Sequence, residues 1–371
     1  MAQVPKLLAL ESLRGFAAVT VVLYHFRYSS FLSENPFMQH GYLMVDFFFV
    51  LSGFVIALNY TNRLSSPADI VRFQRRRFWR LYPLHLFTLM IFLGIECLKY
   101  YFEQKTGIIS NNPAFVASDS TAFVANLFLL QGLVFNELTF NGPSWSISVE
   151  FWTYLVFALA VGLLRLRTWS CLGLALLAAV ILLALEGGAL KTDPVFAIFR
   201  CLYAFFLGAW VATLGVRLSR HAAAPVASGV LLLVILIICL WGGTRAEIVL
   251  PPLFALAVVA VASLRDETGL RRFLEWPVFV WLGTISYSVY LTHVAVAWVV
   301  TQVLRFGLHV PTKVAEDGAT IPALSQGLGT LVTLLAIVGV LVFSSLTYRF
   351  IEKPFRSGLP SRARSATQPQ A

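Results

Sequence analysis

Charge is scarce in this sequence. Asp, Glu, Lys and Arg together make up 12% of its 371 residues, about half the roughly 25% usual for soluble domains. That shortage excludes a soluble fold, which could not hide the 58% of residues that are apolar. Disorder is excluded by the same arithmetic, because disordered chains are poor in apolar and aromatic residues, and Phe alone occurs 31 times here. Cysteine is nearly missing. Cys97, Cys171, Cys201 and Cys239 sit in or beside apolar runs and offer neither a metal-ligand spacing nor a disulfide framework. No HExxH or CxxC occurs, so no metal is expected. A Gly-rich phosphate loop, a G-x-S-x-G elbow and a dinucleotide fingerprint are absent too, which leaves serine-hydrolase and nucleotide-hydrolase chemistry little to stand on.

What is present is apolar length. Ten stretches can each span a bilayer, which takes about 20 mostly apolar residues. They lie near 8–27, 42–60, 79–102, 144–165, 169–187, 195–216, 224–241, 247–264, 279–304 and 324–350. The expected fold class is an all-α polytopic membrane protein, a single bundle of about ten transmembrane helices. The first stretch reads as a retained signal anchor, since Glu11 and Arg14 interrupt its start and no small-residue cleavage site follows it. A shorter apolar piece, 122–135, is expected to be an interfacial or re-entrant helix. The bundle domain should cover 1–356, and the Ser-, Arg-, Pro- and Gln-rich tail 357–371 should be a disordered cytoplasmic extension.

The formal charge of +10 would suggest nucleic acid in a soluble protein. Here the positive-inside bias of membrane proteins explains it first, so the bilayer is the expected partner and nucleic acid is not. With both termini in the cytoplasm, the inner segments hold the clusters Arg72–Arg80, Arg265–Arg272 and Arg349–Arg356, whereas the outer segments hold isolated cations such as Arg27, Lys99 and Lys313. Oligomeric state leaves no mark on the sequence.

A charged side chain at mid-membrane costs at least about 2.5–3.5 kcal/mol on insertion scales, so ionisable residues inside spans are the sharpest functional clues. Arg14 and His25 are eleven residues apart, which returns a helix to about 20° from its starting direction and separates the two by roughly 16 Å. Both therefore lie on one face. Asp46 precedes three phenylalanines, an odd place for a solvated charge, and calls for a partner such as His25 or an arginine. Glu150 follows Pro143-Ser144-Trp145-Ser146 and falls well inside a span, one turn after Ser146. Its bland alternative is a structural ion pair, for example with Arg200. Arg77 and Arg80 share a face at i, i+3, and guanidinium forks match phosphate geometry. Ser286, Tyr290 and His293 recur at helical spacing as a polar stripe. A hydrogen-bonded core histidine is at least as good a reading of His293 as catalysis.

These motifs, in their order, resemble the membrane acyltransferase-3 family. Glu11-Ser12-Leu13-Arg14-Gly15-Phe16 with His25 looks like its opening signature. Val45-Asp46-Phe47-Phe48-Phe49 is similar to its second block, and Arg77-Phe78-Trp79-Arg80 to its RxxR block. Pro143 to Phe151, Gly283 to His293, and Ile351-Glu352-Lys353-Pro354-Phe355 follow in the family's order. The resemblance covers roughly 7–356. It implies O-acyl transfer, usually of acetyl from acetyl-CoA as donor co-substrate, to a hydroxyl of a carbohydrate or glycolipid acceptor in a bacterial inner membrane. Some relatives modify macrolides or transfer succinyl. Carried over residue by residue, His25, Asp46 and Glu150 are the expected catalytic groups, and Arg14, Arg77 and Arg80 the expected acetyl-CoA-binding groups. Trp145, Ser146, Tyr290 and His293 are placed at the acceptor. His25 would act as general base or as a transient acyl carrier, and both routes stay open. Some relatives carry a further extracytoplasmic hydrolase-like domain, which this chain is expected to lack. The rival class is a transporter or flippase of an anionic or glycolipid substrate, which buried charges in ten spans also suit.

Overall fold

The computed structural model describes residues 7–107, 109–165, 168–191, 196–315 and 318–356. The tail 357–371, expected to be disordered, lies outside the described residues. Among the described residues, ten helical segments are long and apolar enough to cross a membrane. Their α-helical parts are α1 (Leu8–His25), α2 (Met44–Tyr60), α3 (Pro67–Thr106), α4 (Trp145–Gly162), α5 (Thr168–Glu186), α6 (Ala197–Leu214), α7 (Ala223–Trp241), α8 (Leu250–Ala262), α9 (Ser286–Gln302) and α10 (Gln326–Thr347). The segment containing α2 is 72% buried, against 28% for those containing α5 and α10. This places α2 at the centre of the bundle and leaves α5 and α10 at its rim.

Glycine sets the closest crossings. Gly53 of α2 lies on the carbonyl of Phe205 in α6, and Gly208 of α6 lies on the carbonyl of Val50 in α2. No Cβ fits at either place. With no hydrophobic drive between helices in lipid, such backbone approach is what holds a membrane bundle together. Gly53→Ala is therefore expected to force the two helices apart at a cost of about 1–3 kcal/mol. A thermal melt in detergent should show a lowered midpoint, and an unchanged one would mean that this crossing does not hold α2. A second crossing joins α1 to the short helix Pro277–Thr284. There Gly283 lies on the carbonyl of Glu11, and Gly15 faces Gly283. It brings the start of α9 alongside Arg14.

Three boundaries differ from expectation. The third span begins at Pro67 rather than near 79. Ser66 caps it by accepting from Asp69 N at 3.3 Å, with Pro67 at the first helical position. A helix of 40 residues is about 60 Å long, twice a hydrocarbon core of about 30 Å. Its early arginines, Arg72, Arg75 and Arg76, are exposed. The ninth stretch is not continuous, because α9 starts only after a break at Ile285. There the hydroxyls of Thr284 and Ser286 take the carbonyls of Val280 and Gly283 at 2.9 and 2.8 Å, and such side-chain bonds compete with the helix. The piece 122–135 is two short helices, Ser120–Leu127 and Gln131–Val134. Between them Leu129 holds a left-handed φ of 55°, a conformation that costs about 1–3 kcal/mol. Its carbonyl is clamped from α4 by Ser148 Oγ at 2.6 Å and Trp152 Nε1 at 2.9 Å. A small antiparallel hairpin, Thr312–Val314 with Thr320–Pro322, ties to the segment after His25 through Lys313 Nζ on Ser29 Oγ at 3.0 Å.

Candidate active site

Helices α1, α2, α3, α4 and α9 enclose a cavity of about 260 Å³. Arg14, Arg77, Arg80, Glu150, Ser146 and Tyr290 all line it. Residues distant in sequence, each singled out as a polar group in an apolar setting, thus meet around one space. His25, His293, Asp46 and Trp145 are not on its wall.

The cavity is cationic. Four arginines line it, Arg356 being the fourth, against two carboxylates, Glu11 and Glu150. Arg14 reaches Glu11 only at 3.4 Å. Arg77 donates to Tyr60 Oη at 3.2 Å and lies over the rings of Tyr60 and Phe73 at 5.3 and 5.6 Å, while its buried Nε has no partner. Arg80 makes no hydrogen bond or ion pair among the described residues. Glu150 accepts from Tyr154 Oη at 2.6 Å, and that oxygen also meets Ser52 Oγ at 2.9 Å. Four guanidinium groups, three of them half-buried, face only two carboxylates, and the arrangement suits an anion.

Also on the wall, Ser146 Oγ meets Tyr290 Oη at 2.8 Å, and the two hydroxyls lie 3.1 and 3.0 Å from the carbonyl of Pro143, so that one donates to the other and the other to the carbonyl. Tyr290 stands edge-on to Phe48 at 5.9 Å. Its ring is also 6.0 Å from that of His293. His293 in turn contacts His25, Nε2 to Nδ1, at 3.2 Å. The two histidines therefore pair with each other, one aromatic layer beyond the cavity wall. His25 is part-buried at the end of α1, and His293 is fully enclosed.

Asp46 is placed elsewhere. Its two carboxylate oxygens accept from Arg200 Nε and Nη2 at 2.8 and 2.7 Å, and Arg200 Nη2 also donates to the carbonyl of Tyr42 at 3.0 Å. This is a bidentate pair between side chains 0% and 4% exposed. Arg200, suggested above as a partner for Glu150, is thus engaged by Asp46. Trp145, expected at the acceptor, lies under the Arg200 guanidinium at 5.3 Å.

Reading the spans for internal charges passes over groups at span ends. Glu11 and Arg356, both on the cavity wall, are of that kind. Glu352 is another: it is buried and accepts from Ser288 Oγ at 2.8 Å. Tyr154 carried a usable signal, one helical turn after Glu150. Phe355, in the last motif, stacks on Trp79 of the RxxR block at 5.7 Å. No group of three or more His, Cys, Asp or Glu able to hold a metal occurs among the described residues.

Comparison with known proteins adds an independent line. The family described as "Acyltransferase domain" matches residues 7–349. "Acyltransferase MdmB" of Streptomyces mycarofaciens is 28% identical over 400 residues, which span 99% of this chain and 96% of that protein. "Putative peptidoglycan O-acetyltransferase YrhL" of Bacillus subtilis is 24% identical over 94% of this chain, which spans about half (54%) of that protein's length. "O-acetyltransferase OatA" of Staphylococcus aureus is 27% identical over 43% of this chain and 25% of its own. No solved structure gives a significant match.

Proposed function

We propose, from the premise that this chain belongs to the acyltransferase-domain family and is an acyltransferase, that it moves an acetyl or related acyl group from cytosolic acetyl-CoA to a hydroxyl of a carbohydrate or glycolipid. The observation that carries the reading is the set of under-neutralised arginines on one cavity wall. Coenzyme A is anionic at its nucleotide end and slender at its thioester end. Arg77, Arg80, Arg14 and Arg356 are the groups to hold its phosphates. The cavity, about 260 Å³, falls just below the usual range of ligand pockets, roughly 300–1,000 Å³. The slender arm is the part of the donor that such a space suits, with the phosphates toward the arginines that line it. Both termini are taken as cytoplasmic and the membrane as a bacterial inner membrane, from the distribution of Lys and Arg and the family. The donor would then enter from the cytoplasmic side.

His25 removes the proton of the acceptor hydroxyl as the oxygen attacks the thioester carbonyl. The carbon–sulfur bond breaks, the ester forms, and the proton leaves with the coenzyme A thiol. Ser146 and Tyr290 stand on the cavity wall, and the Tyr290 ring is 6.0 Å from that of His293. A carbohydrate acceptor is supported by the relative named for peptidoglycan.

The test is transfer from labelled acetyl-CoA supplied to the cytoplasmic face of membranes from expressing cells, with lipid-linked and polymeric glycan fractions counted. Label in glycan together with released coenzyme A supports the reading. No transfer and no release, with acetyl and succinyl donors and several glycans present, would overturn the reading in favour of transport. In the same assay Arg80→Gln is expected to raise KM for acetyl-CoA about tenfold to a hundredfold, since a hydrogen bond to a charged group contributes about 1.5–3 kcal/mol. Its kcat should change little. An unchanged KM would remove Arg80 from the donor site.

A further inference from the structure

We infer that His25 and His293 form a neutral dyad in which His293 fixes the tautomer of His25, leaving Nε2 of His25 as the bare, reactive nitrogen. The inference rests on the reading of His25 as the catalytic base. It follows from what carbonyl oxygens can do. His25 Nδ1 is 2.8 Å from the carbonyl of Val21, one turn back in α1. A carbonyl only accepts, so Nδ1 carries the hydrogen, and a neutral imidazole then has its lone pair on Nε2. His293 repeats the arrangement in α9, with Nδ1 3.2 Å from the carbonyl of Val289. Its Nε2 is therefore also bare, and it accepts from His25 Nδ1 at 3.2 Å. One hydrogen is shared by two acceptors, Val21 O and His293 Nε2.

The opposite tautomers are worse. His293 Nε2 would then donate to His25 Nδ1, and both Nδ1 lone pairs would face carbonyl oxygens. The two i−4 carbonyls thus set both rings at once, and His25 Nε2 accepts no hydrogen bond among the described residues.

In a Ser-His-Asp triad a carboxylate orients the histidine and stabilises its charged form. Here no carboxylate pairs with either imidazole among the described residues, and Asp46 is held by Arg200. The groups facing the pair are the ring of Tyr24 at 4.9 Å from His25, the ring of Tyr290 at 6.0 Å from His293, and the exposed Arg27 two residues on. When His25 takes a proton at Nε2, its Nδ1–H stays shared between Val21 O and His293. His293 accepts part of the positive charge and brings none of its own, so no second ion is buried. His293 is a positioning residue.

Two experiments test this. In histidine-labelled wild-type protein, ¹⁵N spectra should show a protonated Nδ1 and a bare Nε2 for both residues, assigned by the His25→Ala and His293→Gln variants. A protonated Nε2 on neutral His25 overturns the dyad. In the transfer assay His293→Leu should lower kcat about 10²-fold, the lower end of what a positioned base contributes, with KM for acetyl-CoA unchanged. His293→Gln, whose amide oxygen falls near the lost Nε2, should recover to within about tenfold of wild type. Equal loss in Leu and Gln, tracking lost thermal stability, makes His293 structural and overturns the inference. Full activity in both, with His25→Ala inactive, overturns it as well and leaves His25 as the base. Full activity of His25→Ala removes the underlying reading itself.

Discussion

His25→Ala is expected to lower acyl transfer about 10²- to 10⁴-fold, the range that a positioned general base contributes, with donor binding intact. The separation of duties follows from the fold. The arginines assigned to the phosphates lie on the cavity wall, and His25 lies beyond Tyr290 and Phe48 with His293. Along α1 itself Arg14 and His25 are roughly 16 Å apart. Removing the imidazole therefore takes away the proton acceptor and leaves the anion site untouched. KM for acetyl-CoA should hold while kcat collapses, and exogenous imidazole should restore part of the rate by occupying the space of the lost ring. The measurement is initial-rate transfer from labelled acetyl-CoA with expression matched to wild type. A kcat near wild type would reject His25 as base and as acyl carrier together. A rise in KM with kcat preserved would place His25 in donor binding instead.

Hydropathy made the spans legible, because a bilayer imposes one length on every crossing helix. Charge inside those spans made the site's membership legible. Arg14, Arg77, Arg80 and Glu150 stand out on cost alone, and all four meet at the cavity. Local geometry was legible as well: Arg77 and Arg80, expected on one face, both line the cavity. Partner choice was not. Asp46 meets Arg200 across 154 residues, and His25 meets His293 across 268. Helical periodicity says which way a side chain points, but not which helix stands opposite. That is decided by the crossings, here by glycines such as Gly53, Gly208 and Gly283 whose carbonyl contacts have no signature in a single sequence. The break before α9 was hidden for a related reason. Thr284 and Ser286 sit in an apolar stretch long enough to span, and their hydroxyl bonds to Val280 and Gly283 flank the break.

Asp46→Asn is expected to be among the most destabilising single substitutions in the bundle, at about 3–5 kcal/mol, because it strands a buried guanidinium. Arg200 would keep the Tyr42 carbonyl and the face of Trp145 but lose the carboxylate that pairs with it directly. Arg200→Met should be comparable, leaving an unpaired carboxylate that is 0% exposed. The double variant Asp46→Leu, Arg200→Met should regain much of the loss, since replacing both members of a buried pair by apolar groups is often neutral or stabilising. Thermal melts in detergent give the three stabilities, and transfer assays on the same preparations give the three rates. This pairing decides what Asp46 does. If the double variant is stable and still transfers label, Asp46 supports α2 against α6 and takes no part in the chemistry, in keeping with its bidentate bond to Arg200. If it is stable and inactive, Asp46 acts on the reaction after all, and its bond to Arg200 must open during turnover. The pair therefore converts an ambiguity of one motif, Val45-Asp46-Phe47, into two measurable quantities that a fold role and a catalytic role move differently.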